Sequence, residues 1–178
     1  MKKDLKRKKS ISLVPEYVFD TYRDVSAEFL TSLGIKALLI DIDNTLAPYE
    51  QELPDENIIK WFEQMRAVDI RCALISNNHS DRVELFNSLL SLHAYPDSNK
   101  PCKKTLLRAM REMGVDASVT AGLGDQLLTD TLAVHKLGMI SIIVPPIKDK
   151  KTLFFRFKRL IERPFMRTYR KREKKKGR

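Results

Sequence analysis

Short apolar runs alternate along the chain with longer stretches in which apolar residues recur every three or four positions. The runs at 37–40, 72–75, 118–123 and 140–144 are too short for helices and predict buried strands. Between them, Ile58, Trp61, Phe62 and Met65 mark one face of a helix over 57–68. Further helices are predicted over 80–90, over 103–113 with Gly114 as the stop, and up to Gly138. The segment 14–33 reads as helical in parts, with Gly34 punctuating the entry into the first strand. Pro145 and Pro146 close the last one. Strands alternating with helices of this length imply parallel pairing with helices on both faces. The expected fold is α/β, a Rossmann-like three-layer sandwich with a mostly parallel sheet. In such sheets ligands sit beyond the carboxyl ends of the strands.

Composition adds that 178 residues with 43% apolar content suit one core of ordinary size. Cys72 and Cys102 have no ligand-like spacing and read as reduced thiols of a cytoplasmic protein. No run approaches the length needed to span a bilayer, and KKDLKRKKS leads into no signal-peptide core, which argues against export or a membrane span. The net charge of +10 is unevenly divided. Residues 1–9 carry +5 and residues 148–178 carry +12, which leaves −7 for the segment between them. The organisation expected is a basic tail over 1–12, one domain over 13–147 and a basic segment over 148–178. Such ends are solvated tails, or they attract anionic lipid or nucleic acid.

Polar clusters follow the apolar runs. After the first come Asp41, Asp43, Asn44 and Thr45. Two carboxylates there repel one another and need a cation, and Mg2+ suits hard oxygen ligands. Asp41 is then placed to attack phosphorus, and Asp43 to protonate the leaving oxygen and activate water. Ser76 and Asn77 follow the second strand, where a hydroxyl and successive N–H groups can hold phosphoryl oxygens; SNNHS is also readable as a turn and helix cap. Thr45 joins them as a candidate substrate-binding residue. Lys100, before Pro101, would offset the carboxylates. In GDQLLTD, Gly122 and Gly124 are expected to let the backbone turn tightly at the strand end, freeing Asp125 to reach metal. Asp130 would act from behind, on metal-bound water or on Lys100.

DIDNTL, SNN, Lys100 with Pro101 and GDQLLTD, in this order over about 36–144, resemble the four motifs of the haloacid dehalogenase (HAD) superfamily. The chain length and GDQLLTD are most similar to the YqeG-like family of subclass IIIA phosphatases, related to the phosphatidylglycerophosphate phosphatases. The resemblance implies Asp41 as nucleophile and Asp43 as general acid and base. It implies Mg2+ held by the Asp41 carboxylate, the Asp43 carbonyl and Asp125, phosphoryl oxygens on Ser76 and Asn77, and charge neutralisation by Lys100.

The gaps between Asp43, Ser76 and Lys100 leave no room for a large cap domain, so the site should stay open to bulky phosphomonoesters such as a lipid head group. The segment TLFFRFKRLIER places Leu153, Phe154, Phe157, Leu160 and Ile161 on one helical face, with arginines and lysines mostly elsewhere. That face either lies in an anionic membrane surface or packs on the domain's own sheet. Three readings follow: a lipid phosphatase peripheral at the inner membrane face, a soluble nucleotide, sugar or phosphoprotein phosphatase, and, ranked last, a basic RNA-binding or ribosome-associated module. The last leaves the acidic cluster without a purpose.

Overall fold

The computed structural model describes residues 12–148 and 153–177, of which 153–159 are described by their backbone alone. The basic tail expected over 1–12 lies, apart from Ser12, outside the described residues, as do the side chains of Leu153, Phe154 and Phe157. The elements run β1 (Tyr17–Val18), α1 (Ala27–Ser32), β2 (Ala37–Ile40), α2 (Glu56–Ala67), β3 (Arg71–Ile75), α3 (Ser80–Asn87), β4 (His93–Tyr95), α4 (Lys104–Met113), β5 (Thr120–Gly124), α5 (Leu132–His135), β6 (Ile140–Ile143) and α6 (Leu153–Lys175). All six strands are parallel, in the order β1-β6-β5-β2-β3-β4.

The two-residue period of the strands divides the core. Leu38, Ile40, Cys72 and Leu74 meet Leu30, Trp61, Phe62, Met65 and Phe86 on one face. Ala37, Leu39, Ala73 and Ile75 meet Leu106, Met110, Met113 and Val134 on the other. Both faces of β2 are therefore buried, which is why it reads as a continuous apolar run rather than an alternating one. The chain moves outward from β2 to β3 and β4, then returns to the opposite side of β2 with β5 and β6. The crevice at such a reversal is the usual ligand site of this architecture.

β1 and β4 are the elements that patterning does not predict, being two and three residues long. The C-terminal helix also exceeds expectation, because it continues through Pro164 to Lys175. Pro164 is exposed on α6, and having no N–H it cannot donate to the Leu160 carbonyl one turn earlier. α6 docks through a polar stripe. Tyr169 Oη accepts from the Val18 N–H at 3.1 Å, and Arg172 Nη2 donates to the carbonyls of Pro15 and Glu16 at 2.6 and 3.0 Å. Leu160 and Ile161 are left 57% and 37% exposed, so at these two positions the apolar face is not packed on the sheet. No helix among the described residues is long and apolar enough to cross a membrane.

Candidate active site

Asp41 follows β2 directly, and its N–H donates to the Leu123 carbonyl of β5 at 2.9 Å, which ties the first acidic cluster to the strand that carries the last. The chain then reverses at Asn44, whose φ of 66° lies in the left-handed region that Asn tolerates. The Thr45 and Leu46 N–H groups donate back to the Ile42 carbonyl. This turn brings Thr45 Oγ1 to donate to Asp41 Oδ2 at 3.2 Å. Thr45 is buried and spends its hydroxyl on orienting Asp41.

Lys100 sits between two carboxylates. Its Nζ lies 2.6 Å from Asp41 Oδ1 and 2.7 Å from Asp130 Oδ1, and its side chain is 5% exposed. Burial works against the ammonium charge, and Asp130 and Asp41 more than reverse that effect, so the Lys100 pKa is raised. Burial pushes the Asp41 carboxyl up to about 7, with Lys100 opposing the rise and Asp130 adding to it.

Asp130 reaches this position because β5 ends in glycine. A Cβ on Gly124 would fall on the Asp130 carboxylate, and one on Gly122 would fall on Val134. Neither glycine has a positive φ, and both lie within β5. The tight turn expected of them is therefore corrected to close packing: they are small because a side chain or a helix must approach the strand. A π-helical turn, Leu127–Thr131, follows and leads into α5. Asp130 Oδ2 accepts from the Gln126 N–H at 3.1 Å and from Thr129 Oγ1 at 3.3 Å.

Asp41, Asp125 and Asp130 each offer a carboxylate oxygen within 4.8 Å of the others, and all three are buried. Carboxylates this close repel one another, and the oxygen-only donor set suits a hard divalent cation. Asp130 Oδ1 faces Lys100 and its Oδ2 faces Gln126 and Thr129, while Asp41 Oδ1 faces the same lysine and its Oδ2 faces Thr45.

Asp43 sits apart from that cluster. Arg82 Nη2 donates to its Oδ1 at 3.3 Å, while Asn78 Nδ2 and Ser76 Oγ approach Oδ2 at 3.3 and 3.5 Å. Arg82 comes from the first turn of α3 and lies over the Phe86 ring, with Nη1 donating to the Glu52 carbonyl. Sequence reasoning did not single out Arg82; an arginine two residues into a helix gives no signal until the fold carries Asp43 to it. Ser76 Oγ also accepts from the Asn78 N–H at 3.0 Å. Asn77 uses its side chain as a brace: Oδ1 accepts from Ser98 Oγ and the Lys100 N–H, both at 2.7 Å, and Nδ2 donates to the Lys100 carbonyl at 3.1 Å. That leaves the Asn77 backbone rather than its amide to meet a ligand.

One cleft is lined by Asp41, Asp43, Ser76, Asn77, Lys100 and Asp130, together with Tyr49, Gln126 and Thr129. The structure thus gathers the sequence-predicted residues at the carboxyl ends of β2, β3 and β5, with Asp125 buried beside them and Thr45 behind Asp41. A carboxylate, an ammonium and hydroxyl and amide donors around one cleft can hold a phosphoryl group and attack it. No cap domain stands over it among the described residues.

Comparison with known proteins places the chain in a family. The model of a family described as mitochondrial PGP phosphatase matches residues 3–147. The probable phosphatase YqeG of Bacillus subtilis strain 168 is 32% identical over 155 residues, covering 87% of this chain and 90% of that protein. Among solved structures, CbbY from Rhodobacter sphaeroides in complex with xylulose-(1,5)bisphosphate superposes with a TM-score of 0.53 at 14% identity, over 67% of this chain and 90% of its own. An uncharacterized protein from Listeria monocytogenes serotype 4b gives 0.52 at 14% identity, over 66% and 85%. At such identities the solved structures speak for the fold alone. On the family match and the YqeG relationship, the chain belongs to the PGP phosphatase family and is a HAD-type phosphatase, a phosphoric monoester hydrolase.

Proposed function

We propose that this phosphatase is Mg2+-dependent, works through an aspartyl-phosphate on Asp41, and acts on a phosphomonoester carried by a lipid head group, with phosphatidylglycerophosphate as the leading candidate. The observation that carries the chemistry is the buried Asp41–Lys100–Asp130 arrangement beside Asp125. Mg2+ would be held by the Asp41 and Asp125 carboxylates and the Asp43 carbonyl, and would supply charge neutralisation for the transferring phosphoryl group.

In the first step an Asp41 carboxylate oxygen bonds to phosphorus as the ester P–O bond breaks, and Asp43 gives its proton to the departing oxygen. In the second, Asp43 takes a proton from water as that water bonds to phosphorus, releasing phosphate and restoring Asp41. Lys100 stabilises charge on the phosphoryl oxygens and holds Asp41 in line, and Asp130 holds Lys100. Ser76 Oγ and the Asn77 N–H are the further donors to the phosphoryl oxygens, and Thr45 holds the Asp41 carboxylate from behind.

The lipid part of the reading is supported by the family match, by the uncapped cleft and by the exposed Leu160 and Ile161 on a basic helix. Contact with an anionic membrane surface would set the open cleft against head groups. A phosphate-release screen with Mg2+ against lipid, nucleotide and sugar phosphates, run beside co-sedimentation with anionic and neutral vesicles, tests it. Preference for the lipid phosphomonoester with binding to anionic vesicles is expected. Preference for a soluble ester without vesicle binding would overturn the lipid reading and leave the phosphatase chemistry intact.

A further inference from the structure

The family match ends at residue 147, yet the chain continues into α6 and returns to the catalytic end of the sheet. Besides Asp41, Asp125 and Asp130, one more carboxylate is buried among the described residues, that of Glu162 on α6. It belongs to none of the four motifs. Its Oε1 accepts from the Leu127 N–H at 2.8 Å and from the Leu128 N–H at 3.4 Å. These amides head the helical segment Leu127–His135, where first-turn donors lack partners within the helix and a negative charge is favourable.

The catalytic loop is therefore held from two sides. Asp130 Oδ2 takes the Gln126 N–H from within, and Glu162 takes the next two amides from α6. The segment so fixed carries Gln126, Thr129 and Asp130 into the cleft and follows Asp125 directly. Farther along α6, Tyr169 and Arg172 bind Val18, Pro15 and Glu16 along the β1 edge. α6 is thus tied to the catalytic loop near its middle and to the sheet edge toward its C-terminal end.

We propose that Glu162 is a positioning residue of the phosphatase site, through which the C-terminal helix holds the 125–130 loop in its working geometry. The proposal rests on the phosphatase reading of the cleft for its consequence in catalysis, but the loop restraint itself is measurable without turnover. Glu162 acts through backbone amides and has no role in bond making. Whatever engages α6 acts on the active site through this link.

The test uses the full chain and three variants. Glu162→Ala removes the acceptor, Glu162→Gln keeps an acceptor oxygen, and Tyr169→Phe loosens the other anchor of α6 without touching the loop. Amide hydrogen exchange at Leu127 and Leu128 is read alongside melting temperature and turnover of para-nitrophenyl phosphate at varied Mg2+. Glu162→Ala should speed exchange at those two amides, raise the Mg2+ concentration for half-activation and lower kcat/KM by about ten- to a hundredfold, the usual effect of removing a residue that orients a metal site from outside it. Glu162→Gln should retain most activity, and Tyr169→Phe should lower the melting temperature with near-normal turnover. Unchanged exchange at Leu127 and Leu128 in Glu162→Ala would overturn the proposal. So would an activity loss in Tyr169→Phe equal to that in Glu162→Ala, which would reduce Glu162 to a fold anchor. If the wild type released no phosphate while Glu162→Ala still loosened the two amides, the positioning link would stand and the phosphatase reading would fail.

Discussion

Replacing Lys100 by Met removes the ammonium that stands between Asp41 and Asp130 and keeps the apolar stem of the side chain. The two carboxylates are 11% and 9% exposed and stand 2.6 and 2.7 Å from the ammonium, so water cannot replace it. Removing one partner of a buried ion pair costs about 3–5 kcal/mol, which for a chain of this size corresponds to a fall in melting temperature of about 6–20 °C. The assay is thermal unfolding followed by circular dichroism in excess chelator at pH 8, above the value of about 7 to which burial pushes Asp41 in the wild type. Two conditions should shrink the deficit. At pH 5 Asp41 carries a proton, because burial places its pKa at about 7. Adding Asp130→Asn to the variant removes one of the two charges, so the double variant should melt above Lys100→Met alone. A Lys100→Met protein melting within about 2 °C of wild type, the range of ordinary surface substitutions, would refute the reasoning.

Three further outcomes follow from the same geometry. Gly124→Ala should displace the Asp130 carboxylate, lowering stability by about 1–3 kcal/mol and turnover with it, whereas Gly122→Ala meets Val134 and should lower the melting temperature while leaving turnover near normal. Equal activity losses in the two would contradict this division. Between the ordinary Asp value of 3.8 and about 7 the folded, metal-free protein holds a proton on Asp41 that the unfolded chain has lost, so this group's contribution to stability falls as pH rises through that window. Mg2+ must displace the proton. Its affinity and its melting-temperature increment should therefore grow from pH 5 to pH 8, with proton uptake by buffer in calorimetry below pH 7; affinity flat across that range would count against Asp41 as a ligand. Chelation should silence turnover and Mg2+ restore it, which a phosphate-release assay checks directly.

Most of the fold was readable because its central strands are buried on both faces. The runs at 37–40 and 72–75 match β2 and the buried part of β3, and polar residues begin where each strand ends. The same rule led to Asp41, Ser76 and Asp125, since a parallel sheet collects its strand ends on one edge. Lys100 was legible only by its place between motifs, as its two carboxylate partners are 59 and 30 positions away in sequence. What escaped was decided by contacts remote in sequence. Arg82 meets Asp43 across 39 positions and Glu162 meets Leu127 across 35, and neither leaves a local pattern. The glycines of β5 were noticed for their conformational freedom, but the structure needs their lack of volume. The helix read over 152–163 continues past its expected end, with Pro164 at an exposed position of α6.

The central claim is that Asp41 takes the phosphoryl group from the substrate. Phosphate release by purified Asp41→Asn in saturating Mg2+ tests it most directly, because the amide keeps the shape of the carboxylate and is a poor nucleophile. The account predicts release at background level from a protein that remains folded by circular dichroism. Turnover by Asp41→Asn close to that of the wild type would contradict it.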